Sequence, residues 1–441
     1  MKRTRFFPTI EQKPFAEIIK FQDRQLQYDL QYLQAYSKFY KRLFRSNRID
    51  IKKIKSLKDL RHVPFTTKDD LQLYNNDFVC VPKSKIIDYI TTSGTMGDPV
   101  TFATTNHDLE RLAYNEAISF VCAGAGPKDV FQLMTTMDRR FMAGLAYFMG
   151  IRKLGAGIVR VGSGMPELHW DSINRFNPSY MIVVPSFILK LIEFAEKHNI
   201  DYINSSIKNA VCIGEPLRNN DFSLNTLGMR IAKKWDLKLF STYASTEMGA
   251  SFTECGFGNG GHMHPEIVIT EFLDDNNNPV NEGEVGEITI TTLGVEGMPL
   301  LRFKTGDVCC HHIEPCRCGR KTVRLGPVIG RKQQMIKYKG TTLYPPALFS
   351  ILDDFENIEN YIIEVETNEI STDNLLIRIG MKNDNEEIIQ HLRERFRAKL
   401  RVIPDFIFQP VSEINKMIFS ELSRKPIKFI DKRKPRYSLN N

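Results

Sequence analysis

The apolar run Ile86-Ile87-Asp88-Tyr89-Ile90 passes without a break into Thr91-Thr92-Ser93-Gly94-Thr95-Met96-Gly97-Asp98-Pro99-Val100. A short strand-like run that empties into a loop of hydroxyls and glycines is a constrained object. Gly94 and Gly97 let the backbone take positive φ and bring its N–H groups close to an anion, and Thr91, Thr92, Ser93 and Thr95 add hydroxyl donors. Such a loop can wrap phosphate. It is not the G-x-x-x-x-G-K-[ST] phosphate loop, because Asp98 and Pro99 follow Gly97 where lysine and a hydroxyl residue would stand. A surface turn with no ligand would have the same composition.

Further along, the apolar runs 180–184 and 209–213 alternate with an amphipathic stretch at 187–198, which predicts an α/β sheet. Glycine-containing turns at the ends of these runs place a ligand site at the carboxyl ends of strands. One long helix is predicted over residues 15–45, where apolar and aromatic residues recur at three- and four-residue intervals. Between 267 and 292 the pattern becomes short alternating strands separated by the turn-rich segments 274–279 and 282–284. The expected organisation is therefore a large α/β domain at 1–332, containing a β-rich subdomain at about 255–330, and a small mobile α+β cap at 333–441. In the cap, strands are expected near 361–366 and 375–380 and a helix at 386–400.

With 441 residues, 42% hydrophobic and 25% charged, the chain can bury two or three cores. No apolar run approaches the ~20 residues a bilayer span needs. The basic N-terminus lacks an apolar h-region, so no secretory signal is read and the expected compartment is the cytoplasm. A net charge of +8 is compatible with nucleic acid, but the positive residues are spread along the chain with clusters at 45–58 and 425–436, and no nucleic-acid module is visible.

Eight cysteines carry a second signal: Cys309, Cys310, Cys316 and Cys318 fall close together with His311 and His312, and Cys255 lies near His262 and His264. In a cytoplasmic chain this pattern favours a metal over disulfides. Cys316-Arg317-Cys318 would give zinc two thiolates; free thiols and ordinary histidines are the alternative.

Several segments, in order, resemble signatures of the adenylate-forming ligases of the phenylacetate-CoA ligase branch. Residues 58–71 resemble that branch's approach to the phosphate loop, and 93–97 its Ser-Gly-Thr-[Thr/Ser]-Gly core, with Met96 in place of a hydroxyl residue. Gly214-Glu215-Pro216 resembles the segment that holds adenine. Tyr243-Ala244-Ser245-Thr246-Glu247 resembles Tyr-Gly-x-Thr-Glu, and Arg302-Phe303-Lys304-Thr305-Gly306-Asp307 resembles Arg-[Tyr/Phe]-x-Thr-Gly-Asp. Gly330-Arg331 opens a Gly-Arg-x-x-x-x-Ile-Lys-x-x-Gly run, and Lys425 precedes Ile430-Asp431-Lys432-Arg433.

The resemblance implies ATP- and magnesium-dependent conversion of a small carboxylic acid to an acyl adenylate, then to a coenzyme A thioester. It assigns Thr246 to the α-phosphate, Glu247 to magnesium, Asp307 to the ribose and Arg331 to the ribose or phosphate. Lys425 becomes the adenylation lysine, although Arg424 stands where glycine is common and Lys428 is a rival. The family's cap rotates between the two steps, with Gln333 at the hinge position and the Lys339-Gly340 turn brought to the pantetheine channel. Phe141, Tyr147 and Phe148 around Gly144, with Pro185, resemble the walls of an aromatic-acid pocket; as rings they serve equally as core. Cys255, His262, Cys316 and Cys318 match the structural zinc ligands of some relatives, with His264, Cys309, Cys310, His311 and His312 as rivals. Two other readings stay open: an adenylating enzyme that loads an acyl carrier protein in pigment or polyketide synthesis, and an inactive zinc-stabilised binding protein. The long N-terminal helix suits a homodimer.

Overall fold

The computed structural model describes residues 8–92, 100–367, 373–381, 386–418 and 427–433. The chain divides into two compact units, Met1–Val328 and Ile329–Asn441.

In the first unit the buried runs seen in the sequence form a largely parallel sheet. Its order is Gly157–Arg160, Val130–Leu133, Tyr180–Val183, Asn209–Cys212 and Lys238–Ser245, closed by the antiparallel edge strand Ala250–Thr253. The crossover helices include Met142–Leu154 and Pro185–Lys197. Strand Tyr180–Val183 is buried along its whole length, as expected of a parallel strand covered on both faces. Trp170, Ile188, Leu191, Ile192 and Trp235 pack one side of the sheet, and Phe120, Phe131, Tyr147, Ile151 and Tyr180 the other.

A second, mainly antiparallel sheet runs Val268–Leu273, Val285–Thr292, Phe303–His312, Arg324–Leu325 and Gly261–His262. The turn predicted at 274–279 joins its first two strands, with the Asp274 carboxylate accepting from the N–H groups of Asn276 and Asn278 at 2.8 Å.

The single helix expected at 15–45 is two helices, Phe15–Tyr36 and Lys38–Ser46. Ser37 separates them in an extended conformation (φ −84°, ψ 122°), and its hydroxyl accepts from the Tyr40 N–H. That hydroxyl is a helix N-cap, and it restarts the chain in a new direction. The redirection lets Leu26, Leu30 and Leu33 of the first helix and Phe39, Tyr40 and Phe44 of the second enter one core with Leu300, Leu301 and Phe303. Among the described residues no helix is long and apolar enough to cross a membrane.

The second unit is built on a sheet ordered Asp405–Phe408, Asp373–Met381, Ile358–Thr367 and Phe429–Asp431, packed by helices Pro345–Asp353, Glu386–Leu400 and Val411–Ile418. Ile363, Val365, Ile377, Ile379, Leu392 and Phe396 form its core.

Candidate functional site

Four segments singled out in the sequence follow the carboxyl ends of neighbouring parallel strands. Phe141 and the helix Met142–Leu154 come after Val130–Leu133, Pro185 after Tyr180–Val183, Gly214-Glu215-Pro216 after Asn209–Cys212, and Thr246-Glu247 after Lys238–Ser245. In an open α/β sheet this edge is where ligands bind.

Hydrogen bonds lock the second of these segments to the third, and the third to the strand edge. The Glu215 carboxylate accepts from the Ser186 N–H and the Ser186 hydroxyl, each at 2.9 Å, an arrangement that also places an anion at the N-terminus of helix Pro185–Lys197. Gly214 has φ 76°, which a side chain would strain. Arg218 donates to both oxygens of Glu254 at 2.7 and 2.8 Å and pins the end of this turn to the strand edge.

Tyr243 and Asp307, which lie on different sheets, meet: the phenol donates to the Asp307 carboxylate at 2.8 Å. Burial and this anion push the Tyr243 phenol well above its ordinary range, so it remains a donor. Asp307 follows Gly306, whose φ is 78°, and its own N–H donates to the Thr305 hydroxyl at 3.1 Å. Arg302, at the head of the same motif, is 3% exposed; it forks onto the Glu271 carboxylate at 2.8 and 2.9 Å, and it donates to the Val63 carbonyl at 2.7 Å. Its guanidinium therefore organises the strand rather than facing a ligand.

Thr246 and Glu247 lie in the four-residue turn of the hairpin between Lys238–Ser245 and Ala250–Thr253, where Ser245 pairs with Ala250. The Ser245 hydroxyl accepts from the Met248 N–H at 3.2 Å, Ala244 is exposed, and Met248 is fully buried. Thr92 sits at the base of the hydroxyl-rich loop, where its N–H donates to the Val100 carbonyl and its hydroxyl accepts from the Val100 N–H, both at 3.0 Å. Ser93, Gly94, Thr95 and Gly97 of that loop lie outside the described residues, as does Lys425.

Of the candidate pocket rings, Phe141 and Phe148 are half-buried, and Arg160 lies over the Phe148 ring at 5.6 Å. Tyr147 is buried in the core cluster with Phe120 and Phe131, and Pro185 is buried at the first position of its helix. A Cβ on Gly144 would fall 1.9 Å from the Thr136 carbonyl oxygen, so the helix approaches the preceding loop as closely as glycine allows. In the second unit Arg331 is exposed in a short strand, and Lys339 (φ 47°) and Gly340 (φ 78°) form the two-residue turn of a hairpin. Two positive φ values match the twist of the flanking strands.

Cys255, His262, Cys316 and Cys318 come together, with all four ligand atoms within 4.8 Å of one another. The Cys255 and Cys316 sulfurs are 3.6 Å apart and Cys318 Sγ is 3.5 Å from His262 Nε2. Tetrahedral zinc–thiolate bonds put sulfurs about 3.8 Å apart, so the set fits the ion. Thr322 lies 3.3 Å from His262 Nδ1, fixing the ring with Nε2 toward the sulfurs. The Cys255 thiol and the His262 ring hold Cys318 far below the ordinary thiol range, in the form a metal takes. The rivals have other surroundings: His264 meets the Glu11 carboxylate at 2.5 Å, His311 stacks on Phe272, His312 lies against Phe222, and Cys309 is fully buried. Arg320 joins the two clusters, donating to Glu11 at 2.7 Å and to Cys318 Sγ at 3.6 Å. Sequence reasoning missed Glu11, Arg218 and Glu254, charged residues that no motif marks, whereas Ser186 and Arg320 stand inside segments the sequence singled out, Pro185-Ser186-Phe187 and Cys316-Arg317-Cys318-Gly319-Arg320.

Residues 41–297, more than half of the chain, match the model of the AMP-binding enzyme family, and the chain belongs to that family. Within it the protein is a phenylacetate-coenzyme A ligase-like adenylate-forming enzyme. It is 28% identical over 415 residues to the phenylacetate-coenzyme A ligase of Thermus thermophilus, covering 89% of this chain and 92% of the relative. It is 27% identical over 417 residues to the Escherichia coli phenylacetate-coenzyme A ligase, covering 90% and 92%. Its fold matches that of a 2-hydroxyisobutyryl-CoA ligase crystallised in the postadenylation state, with a TM-score of 0.84 at 23% identity over 98% of this chain and 93% of that one.

Proposed function

We propose that this AMP-forming acid–coenzyme A ligase takes phenylacetate or a closely related aryl acid. The observation that supports the site assignment is the line of segments at 141–148, 185, 214–216 and 243–247 along one sheet edge, tied to Asp307 through Tyr243. Half-buried Phe141 and Phe148 suit an aromatic substrate, and both curated relatives described above are phenylacetate-coenzyme A ligases.

In this reading the acid's carboxylate oxygen attacks the α-phosphate of ATP and pyrophosphate leaves. Thr246 donates to the α-phosphate, the loop around Ser93–Gly97 cradles the departing phosphates, and Gly214-Glu215-Pro216 flanks the adenine. Asp307 accepts from the ribose hydroxyls, since an ionised carboxylate is an acceptor only, and Arg331 reaches the ribose or phosphate. Lys425 neutralises charge on the α-phosphate as a point cation. Glu247 would hold magnesium, which when bound shields phosphate charge during attack. The second half-reaction passes the acyl group to the coenzyme A thiol, with Gly340 leaving room for the pantetheine arm. Cys255, His262, Cys316 and Cys318 hold a structural zinc ion. An acyl carrier protein as acceptor, a homodimer and a cytoplasmic location remain secondary proposals.

The test is product analysis. Incubation with phenylacetate, MgATP and coenzyme A should yield phenylacetyl-CoA and AMP in equal amounts, and Lys425→Ala should abolish both. Adenylate that accumulates without thioester would replace coenzyme A with another acceptor.

A further inference from the structure

We infer that Arg111 is a positioning residue for adenylation, holding the Thr246-Glu247 turn in its working shape through the Gly249 carbonyl. The inference rests on the role proposed for that turn and goes beyond it, because Arg111 belongs to none of the motifs.

Arg111 lies on the helix Asn106–Cys122, which packs against strand Ala250–Thr253. Its guanidinium donates in three directions: Nη1 to Gly249 O at 2.9 Å, Nε to Leu293 O at 2.8 Å and Nη2 to Ile267 O at 2.6 Å. Gly249 ends the turn that carries Thr246 and Glu247; its φ is 54°, and its N–H donates back to Ser245 O at 3.1 Å and Thr246 O at 3.2 Å. The turn is therefore fixed on its inner side by the buried Met248 side chain and at its far end by the arginine. Ile267 immediately precedes strand Val268–Leu273 and Leu293 immediately follows Val285–Thr292. One planar fork thus ties the catalytic turn of the parallel sheet to the antiparallel sheet that carries Asp307.

The helix itself is held in register from its start. Asp108 caps it through Thr105 N–H and also accepts from the Glu296 and Gly297 N–H groups at 2.7 and 2.9 Å. The Asp108 carboxylate, and beyond it Asp29, lie near the guanidinium, whose burial lowers its pKa to about 10. Lysine cannot replace the fork, because a single ammonium on a flexible stem does not reach divergent carbonyls in fixed geometry.

The experiment is a double-mutant cycle of Arg111→Lys with Thr246→Ala, read by acid-dependent ATP–pyrophosphate exchange. Arg111→Lys should lower kcat by roughly 10- to 100-fold, the scale of a misplaced catalytic group, while KM for ATP and for the acid stays within about twofold. In the Thr246→Ala background the same substitution should cost less than about twofold, because both act through one turn. Melting temperature and zinc content are measured for each variant. If Arg111→Lys does not fold, Arg111→Gln is used in its place, and failure of both to fold would make the residue purely structural and overturn the inference. Additive effects in a folded protein would also overturn it. Full activity of Thr246→Ala alone would instead sink the role given to the turn.

Discussion

Glu116 lies on the helix Asn106–Cys122 with 3% exposure. A Cβ placed on Gly150 of the facing helix would lie 2.3 Å from the Glu116 Cβ, so the two helices are in close contact there. Burial pushes its carboxyl up to about 8 from 4.5, with the Ser251 hydroxyl giving partial relief. Such a group stays protonated in the folded chain while the unfolded chain has released its proton, so between pH 4.5 and 8 the unfolded state binds fewer protons and stability falls as pH rises. Below that window the group costs nothing, and above it the cost is constant. Each pH unit inside the window costs about 1.4 kcal/mol, so raising pH from 5 to 7 costs about 2.5 kcal/mol through this residue alone. Glu116→Gln removes the titration while keeping the shape. Denaturant unfolding of both proteins at pH 5 and pH 7 should show the variant gaining about 2.5 kcal/mol relative to wild type between the two conditions. Asp29, whose carboxyl burial raises to about 7, titrates in both proteins and drops out of the difference. Parallel stability profiles for the two proteins would refute the argument that burial keeps Glu116 neutral.

Three further substitutions probe the site. Tyr243→Phe removes a hydrogen bond to a carboxylate, a loss of about 1.5–3 kcal/mol; it should raise KM for ATP well above its effect on KM for the acid, as steady-state kinetics would show. Gly340→Leu adds a side chain in the turn assigned to the pantetheine channel, and because a Cβ there meets open space the fold should survive apart from strain at φ 78°. Pyrophosphate exchange should persist while thioester formation falls. Cys318→Ser should release one equivalent of zinc by elemental analysis and lower the melting temperature, since metal affinity held by the native ligand set is folding free energy; unchanged metal content would remove Cys318 from the ligand set.

What the sequence made legible was local. The parallel strands are continuous apolar runs, so Tyr180–Val183 and Asn209–Cys212 could be read directly, as could the turns at their ends. The zinc candidates were legible because cysteine and histidine are rare enough for their spacing to carry information. The break at Ser37 was missed because the apolar periodicity continues across it, although a serine ahead of a new amphipathic stretch is a capping signal. The fixtures behind the motifs were not readable at all. His264 meets Glu11 across 253 positions and Arg111 meets Gly249 across 138, and no pattern along the chain marks which of its many charged residues will end buried and paired. Such contacts exist only once the sheets and helices have packed, whereas motif residues carry their own local signature.

The role proposed for the segments along one sheet edge is to activate an aryl acid by adenylation. Acid-dependent exchange of labelled pyrophosphate into ATP, run across a panel of aromatic and aliphatic acids without coenzyme A, tests it most directly. Exchange should depend on phenylacetate or a related aryl acid and disappear in Lys425→Ala. Absence of exchange with every acid, or exchange that Lys425→Ala leaves intact, would contradict it.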